Sequence, residues 1–206
     1  MKGGSLFIFF CCFVLLRFCV IQYMVKSIES EFLEILQMGS ERAVADLAVE
    51  AIGTDPLRFH VMLDYCYLEK YPISMRAARV VQLCCEQHPE LIIPHIQKVT
   101  QHMITSSIDG VKRNFLKIMD DFLDPEKLAD QGLLLDTCFN WLINPREKPA
   151  TRVHCIGLIL KLSASEPDIR QELRASVERI LEDDLPVSLR NVCLKTLKKL
   201  VKHSLS

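Results

Sequence analysis

Histidines, cysteines, paired acids and clustered cations are the residues of this chain that could do chemistry, and their spacing decides how much of it they can do. His88, His95 and His102 recur every seven residues. On a helix that interval spans about 10 Å, too far for two imidazoles to share one metal ion at a ligand distance of about 2 Å. The row reads as a solvated helix face. His154 beside Cys155 has the composition of a base–nucleophile dyad, but neighbouring helical side chains point about 100° apart. That pair reads as an exposed histidine next to a core cysteine. Asp120-Asp121 and Asp183-Asp184 read as solvated helix ends. The chain has no Gly-x-Gly-x-x-Gly, no phosphate-binding Gly-Lys-Ser loop, no His-Glu-x-x-His and no Gly-x-Ser-x-Gly. No catalytic site, metal site or cofactor is implied.

The cations carry a stronger pattern. Arg42, Arg76, Lys112, Arg152 and Arg190 are separated by 34, 36, 40 and 38 residues, the period of a helical-pair solenoid. Three, six, seven and ten places after Arg42 come Ala45, Ala48, Val49 and Ile52; after Lys112, Phe115, Ile118, Met119 and Phe122. After Arg152 the same offsets hold Cys155, Leu158, Ile159 and Leu162, and after Arg190, Cys193, Thr196, Leu197 and Leu200. These offsets share one face of a helix. Behind Arg76 the apolar set is Ala77, Val80, Val81 and Cys84, a face rotated by about one residue. Lys161 falls on the polar side of its helix, where substitution is expected to be cheap.

Each such helix follows another apolar-periodic segment, so the unit is a pair. Leading helices are predicted at 27–37, 56–68, 90–104, 125–143 and 167–182, and trailing helices at 40–52, 72–87, 108–122, 149–164 and 186–202. Pro56, Pro89, Pro125, Pro167 and Pro186 stand where a first helical residue needs no N–H. Asp55 and Asp124 can cap the free N–H groups behind them. Gly39 and Gly53 follow helix ends, where a left-handed residue is wanted. Strand signals, such as sustained alternation or Asn-Gly turns, are missing.

The apolar-then-Arg opening of the trailing helices (Met75-Arg76, Leu189-Arg190) and the Leu91-Ile92-Ile93-Pro94 type of leading helix resemble the HEAT repeat family over residues 27–203. The resemblance implies an all-α, right-handed α-solenoid of about five antiparallel helix pairs, with trailing helices on the concave side. In that family the trailing-helix Arg often pairs with an Asp six residues earlier. Here Asp184 before Arg190 fits, whereas Leu36, Lys70, Ser106 and Arg146 occupy the other four positions.

The first two dozen residues differ from the rest. Leu6 to Leu16 is an unbroken apolar run, Arg17 interrupts it and Phe18 to Ile21 resumes it; half of the ten Phe and a third of the nine Cys fall before Met24. Residues 1–24 are therefore set apart from a repeat domain at 25–206. Three readings of the segment stand: an upstream over-extension of a protein starting at Met24, a membrane anchor through residues 6–21, or a cleaved signal. The run is shorter than the roughly 20 residues of a spanning helix, and no small-x-small cleavage site follows it. The other cysteines, Cys66, Cys84, Cys85, Cys138, Cys155 and Cys193, show no CxxC and no zinc spacing. They read as free core residues of a reducing compartment, so the expected location is cytoplasmic, or membrane-anchored if residues 6–21 hold a bilayer.

Net charge is −1; without residues 1–24 the remaining 23 cations face 26 acids, a net of −3. Duplex binders draw most of their affinity from a basic surplus, so nucleic acid is not the expected partner. On the trailing helices the residues one, five and eight places after the repeated cation should face a ligand. These include Arg113 and Lys117 in the third repeat, with Asp120, and Asn191, Lys195 and Lys198 in the fifth. The first and fourth repeats place Ala43, Leu47, Glu50, Val153, Gly157 and Leu160 there, of which Leu47 and Leu160 could instead pack between repeats. Lys195, Lys198, Lys199 and Lys202 also complement the dipole of the last helix. A mixed apolar and basic surface suits a protein ligand, and the expectation is a non-catalytic interaction scaffold. Two enzymatic readings use the same architecture: HEAT-like glycosylases that excise alkylated bases, and bilin lyases. The former need a basic groove with an aromatic at its floor, whereas Trp141 lies beside Cys138 and Leu142 on an apolar face.

Overall fold

The computed structural model describes the backbone of residues 4–164 and 166–203, and side chains between residues 21 and 201 apart from Ser165. The apolar run before residue 21, with Cys11, Cys12 and Cys19, and the side chain of Lys202 lie outside these described side chains. All regular elements described are helical: α1 Gly4–Met38, α2 Arg42–Ile52, α3 Pro56–Tyr67, α4 Ile73–Gln87, α5 Ile96–Thr105, α6 Asp109–Phe122, α7 Gln131–Ile143, α8 Pro149–Leu162, α9 Pro167–Ile180 and α10 Val187–His203.

Local sequence explains most of these boundaries. Pro56, Pro149 and Pro167 open α3, α8 and α9. Asp55 accepts from the Leu57 N–H at 2.8 Å, and Asp124 from the Glu126 N–H at 3.2 Å. Gly53 ends α2 with φ 53°, the left-handed conformation that a Cβ disfavours. Gly39 does not share it: Gly53 is the one glycine with positive φ among the described residues.

The expected leading helices differ from the observed ones in three places. Helix α1 is continuous from Gly4, so it does not begin near residue 27. The third leading segment is split, because Pro94 cannot donate to an α-helical ladder; Pro89–His95 is a 3-10 helix and α5 starts at Ile96. In the fourth, Pro125–Lys127 forms one 3-10 turn and α7 starts at Gln131, where Asp130 accepts from the Leu133 N–H at 2.9 Å.

Sequential helices pack on each other (α1 on α2, α3 on α4, α5 on α6, α7 on α8, α9 on α10), and the trailing helices form a row in which α4 touches α2 and α6, and α8 touches α6 and α10. The core follows the repeated offsets. Ala45, Ala48, Val49, Ile52, Phe115, Ile118, Met119, Cys155, Leu158, Ile159, Leu162, Cys193, Thr196 and Leu200 are buried, and Phe122 and Leu197 half-buried. Helix α4 buries Ala77, Val80, Val81 and Cys84 and also Ala78, Gln82, Leu83 and Cys85. It is enclosed by α2, α3 and α6, so its burial is not confined to one stripe and its pattern in the sequence is looser. The six cysteines described are free and buried.

Most of the repeated cations tie helix ends and turns together; Arg42 instead pairs with Asp46 of its own helix at 2.8 Å. The last carbonyls of a helix lack intrahelical donors and carry the negative end of the dipole, so a cation there satisfies both needs. Arg76 donates to the Leu36 carbonyl at the end of α1 (2.7 Å) and to Ser40 Oγ (3.0 Å). Arg152, 4 % exposed, donates to the Leu142 carbonyl at the end of α7 (2.8 Å). Arg58 and Arg170 do the same for Ala51 and Ser163. Arg190 donates to the Asp183 carbonyl at 3.1 Å; no Asp184–Arg190 ion pair forms among the described residues, so the expected Asp–Arg rung is replaced by a bond to backbone. Lys112 instead reaches the Glu147 carboxylate at 3.0 and 3.2 Å, in the turn before α8.

Candidate functional site

Several residues singled out for chemistry hold the repeats together. His95 and His102 are half-buried against neighbouring rings rather than on a solvated face. His95 packs at 5.9 Å from the Phe59 ring and 5.4 Å from His60, and His102 at 4.9 Å from Tyr67. Burial, then the nearby His60 and Lys98, keep the His95 pKa below its ordinary value. His102 Nε2 also lies 2.8 Å from Glu69 Oε1 without the alignment of a hydrogen bond. Glu69 adopts φ 52° in the α3–α4 turn, which aims its carboxylate at the α5–α6 turn. There it accepts from Ser106 Oγ (2.6 Å), the Ser107 N–H (3.0 Å) and Ser107 Oγ (2.8 Å). Burial pushes this carboxyl up, but the three hydrogen bonds and His102 outweigh it and hold its pKa below the ordinary value.

Between α6 and α8, His154 is half-buried rather than exposed, and its Nδ1 lies 2.9 Å from Asp120 Oδ2. Gly157 permits this approach: a Cβ there would meet the Asp120 carboxylate at 2.1 Å. Lys161 is not idle on a polar face, since its Nζ donates to the Asp120 carbonyl and stands 3.5 Å from that of Met119. Asp120 and Asp121 are thus engaged acids, the second by Lys117. Trp141 is half-buried with the Lys112 ammonium 4.6 Å above its ring, a cation–π contact between α6 and α7 and not a free aromatic at a groove floor. Among the described residues no group of three His, Cys, Asp or Glu side chains could hold a metal ion.

What the trailing helices leave open is a pair of adjoining depressions across their N-terminal halves. One is lined by Val44 of α2, Met75, Arg76 and Arg79 of α4 and Arg113 of α6. The other is lined by Met75, Arg113, Lys148, Ala150, Val153 and His154, and reaches Ser188 of α10. Met75 and Arg113 belong to both, so the two adjoin and are described together as one groove. Its charged lining holds four cations, Arg76, Arg79, Arg113 and Lys148, against Glu41 and Asp109. Arg79 and Arg113 are exposed and have no ion pair or hydrogen bond among the described residues.

Of the five expected contact residues, Arg113 alone lines this groove. Lys117 lies one turn further along α6, bonded to Asp121 at 2.6 Å and 3.5 Å from Glu86 on α4. The Asp121 hydrogen bond, ahead of an opposing burial effect, raises its pKa. Asn191, Lys195 and Lys198 are exposed on α10, away from the groove lining. Leu160 packs against the core and Leu47 remains 46 % exposed. Arg79 escaped the sequence reading because it sits three places after Arg76, an offset that is buried in the other repeats. The signal that could have found it is the spacing of Met75, Arg79 and Glu86, four and seven residues apart and so on one strip of α4.

A family model described as a HEAT repeat domain matches residues 32–200. The chain belongs to the HEAT repeat family. The match spans all ten helices, entering within α1 and ending within α10, and accords with the all-helical architecture. Neither the curated proteins nor the solved structures yield a match to the chain. HEAT repeat domains are helical-repeat scaffolds that typically mediate protein interactions, and the family is typically non-enzymatic. Among the described residues, no helix is long and apolar enough to cross a membrane; the apolar run before residue 21 lies outside that statement.

Proposed function

We propose that this HEAT repeat protein is a non-catalytic scaffold that binds a protein partner along the concave side formed by its trailing helices. The observation that carries the reading is the groove shared by α2, α4, α6 and α8, with its apolar patches and two arginines that have no partner among the described residues. Those arginines carry solvated charge that a partner can use without breaking an existing bond, whereas the Lys112–Glu147 and Lys117–Asp121 pairs are already committed. A net charge of −1 for the chain supports a protein ligand over a duplex, and half-buried Trp141, engaged by the Lys112 ammonium, is not the free aromatic that a base-excision groove would need.

The test is affinity capture from the native host with wild-type protein and with Arg113→Glu. The proposal expects a specific partner to be lost from the variant at unchanged melting temperature, with a strong salt dependence of association. Excision of alkylated bases from duplex DNA by the purified protein, abolished by substitution of groove residues, would overturn it.

A further inference from the structure

The groove has an order that points to the chemistry of its occupant. Crossing the trailing helices in sequence, it presents an apolar side chain on α2 (Val44), an unpaired cation on α4 (Arg79), an unpaired cation on α6 (Arg113), and apolar side chains on α8 (Ala150, Val153). The two arginines lie between two contacts of α4 with α6. Lys117 of α6 meets Glu86 of α4 further along both helices. Nearer the N-termini Gly110 lies against Met75, whose Cγ stands 2.3 Å from where a Cβ on Gly110 would be. Arg79 and Arg113 fall between these two rungs on adjacent helices.

Packed helices lie about 8–10 Å apart. A polyproline II segment repeats a side-chain direction every three residues, at about 3.1 Å per residue, and so about every 9 Å. One extended chain laid across the row therefore presents one side chain to each successive helix. We infer that the groove docks an acidic, extended segment of a partner protein, in which two carboxylates three residues apart meet Arg79 and Arg113. Apolar residues three further out on each side rest on Val44 and on Ala150 and Val153. The inference rests on the scaffold reading and specifies its ligand. Arginine suits the task because its fork binds a carboxylate through two parallel bonds, and the two exposed guanidiniums give up no internal partner on binding.

The probes are fluorescein-labelled synthetic peptides of about ten residues, read by fluorescence anisotropy against the full chain. Each carries two Glu between two Leu, with the Glu spacing set at one or at three and the Leu kept three residues outside them. Further probes replace both Glu by Gln or by Lys, and a short DNA duplex serves as the competing polyanion. The expected result is tightest binding at spacing three, and loss of about tenfold or more on Glu→Gln or in the Arg79→Glu/Arg113→Glu protein. The charge-reversed protein gains affinity for the Lys peptide, and its melting temperature is unchanged because neither arginine has a partner among the described residues. Equal binding of the Gln and Glu peptides, or indifference to the charge reversal, overturns the acidic ligand. If that Gln-peptide binding is lost on Val153→Asp, the scaffold reading survives. Failure of every peptide to bind also overturns the inference, and a duplex that binds more tightly than any peptide overturns both readings.

Discussion

Replacing Glu69 by glutamine keeps the shape of the α3–α4 turn and removes the charge that holds the α5–α6 turn to it. Three donors converge on that carboxylate, at 2.6, 3.0 and 2.8 Å. A hydrogen bond to a charged group contributes about 1.5–3 kcal/mol, and a neutral one about half as much. The Glu69 side chain is 30 % exposed, so solvent screening brings each charge contribution to the low end of that range. Losing the charge across three bonds then costs about 2 kcal/mol, or about 4–8 °C in melting temperature for a chain of this size. The effect has a pH signature. The folded pKa of Glu69 lies below its ordinary value of 4.5, so the unfolded chain takes up the proton first as pH falls. The stabilisation is complete above about pH 4.5 and is lost as pH falls through the folded value. Protonated Glu69 resembles glutamine, so the gap between wild type and Glu69→Gln narrows on acidification. Thermal melts followed by circular dichroism at about pH 5.5 and about pH 3 measure this below the range in which histidines ordinarily titrate. Equal melting temperatures at the higher pH, or a gap that widens at the lower, would refute the reasoning.

Leu158, fully buried in α8, is expected to cost about 2–5 kcal/mol on replacement by alanine, measured by urea denaturation. Lys161→Ala should cost about 1 kcal/mol in the same assay because it uncaps the end of α6, and an effect as small as that of an exposed Lys199→Ala would remove Lys161 from the α6–α8 joint. Removal of residues 1–23 is expected to leave a folded helical protein, since the buried residues described on α1 begin at Ile28; an aggregated or molten product, seen by circular dichroism and light scattering, would show that the apolar segment covers part of the core. Burial pushes the Cys84 thiol up to about 12, so iodoacetamide should label it slowly at about pH 8 in the native protein and rapidly once unfolded; rapid native labelling would place it at the surface.

The fold was legible because burial repeats. A helix whose residues at three, six, seven and ten places after a cation all turn inward announces its face, and Ala45, Phe115, Leu158 and Cys193 lie where that rule puts them. The joints were not legible, because they depend on side chains meeting across about 35 residues of sequence. Glu69 reaches Ser106 and Ser107 only from a left-handed backbone that its residue type does not signal, and Asp120 meets His154 only because Gly157 lets α8 come close. The cations show the same division. Their spacing marked the repeat, while their role as donors to helix-end carbonyls needed the ends of α1 and α7 to be placed in space. Of the groove, Arg113 was visible as an outward cation, and Arg79 was hidden by the rotated face of α4.

The central claim, that the trailing helices form the ligand surface, is tested most directly by amide hydrogen exchange of the full chain with and without the spaced-Glu peptide. The account predicts slowed exchange in α4 near Met75–Arg79 and in α6 near Gly110–Lys117, with α3, α5 and α9 unchanged. Slowing confined to the leading helices, with the segments around Arg79 and Arg113 unaffected, would contradict it.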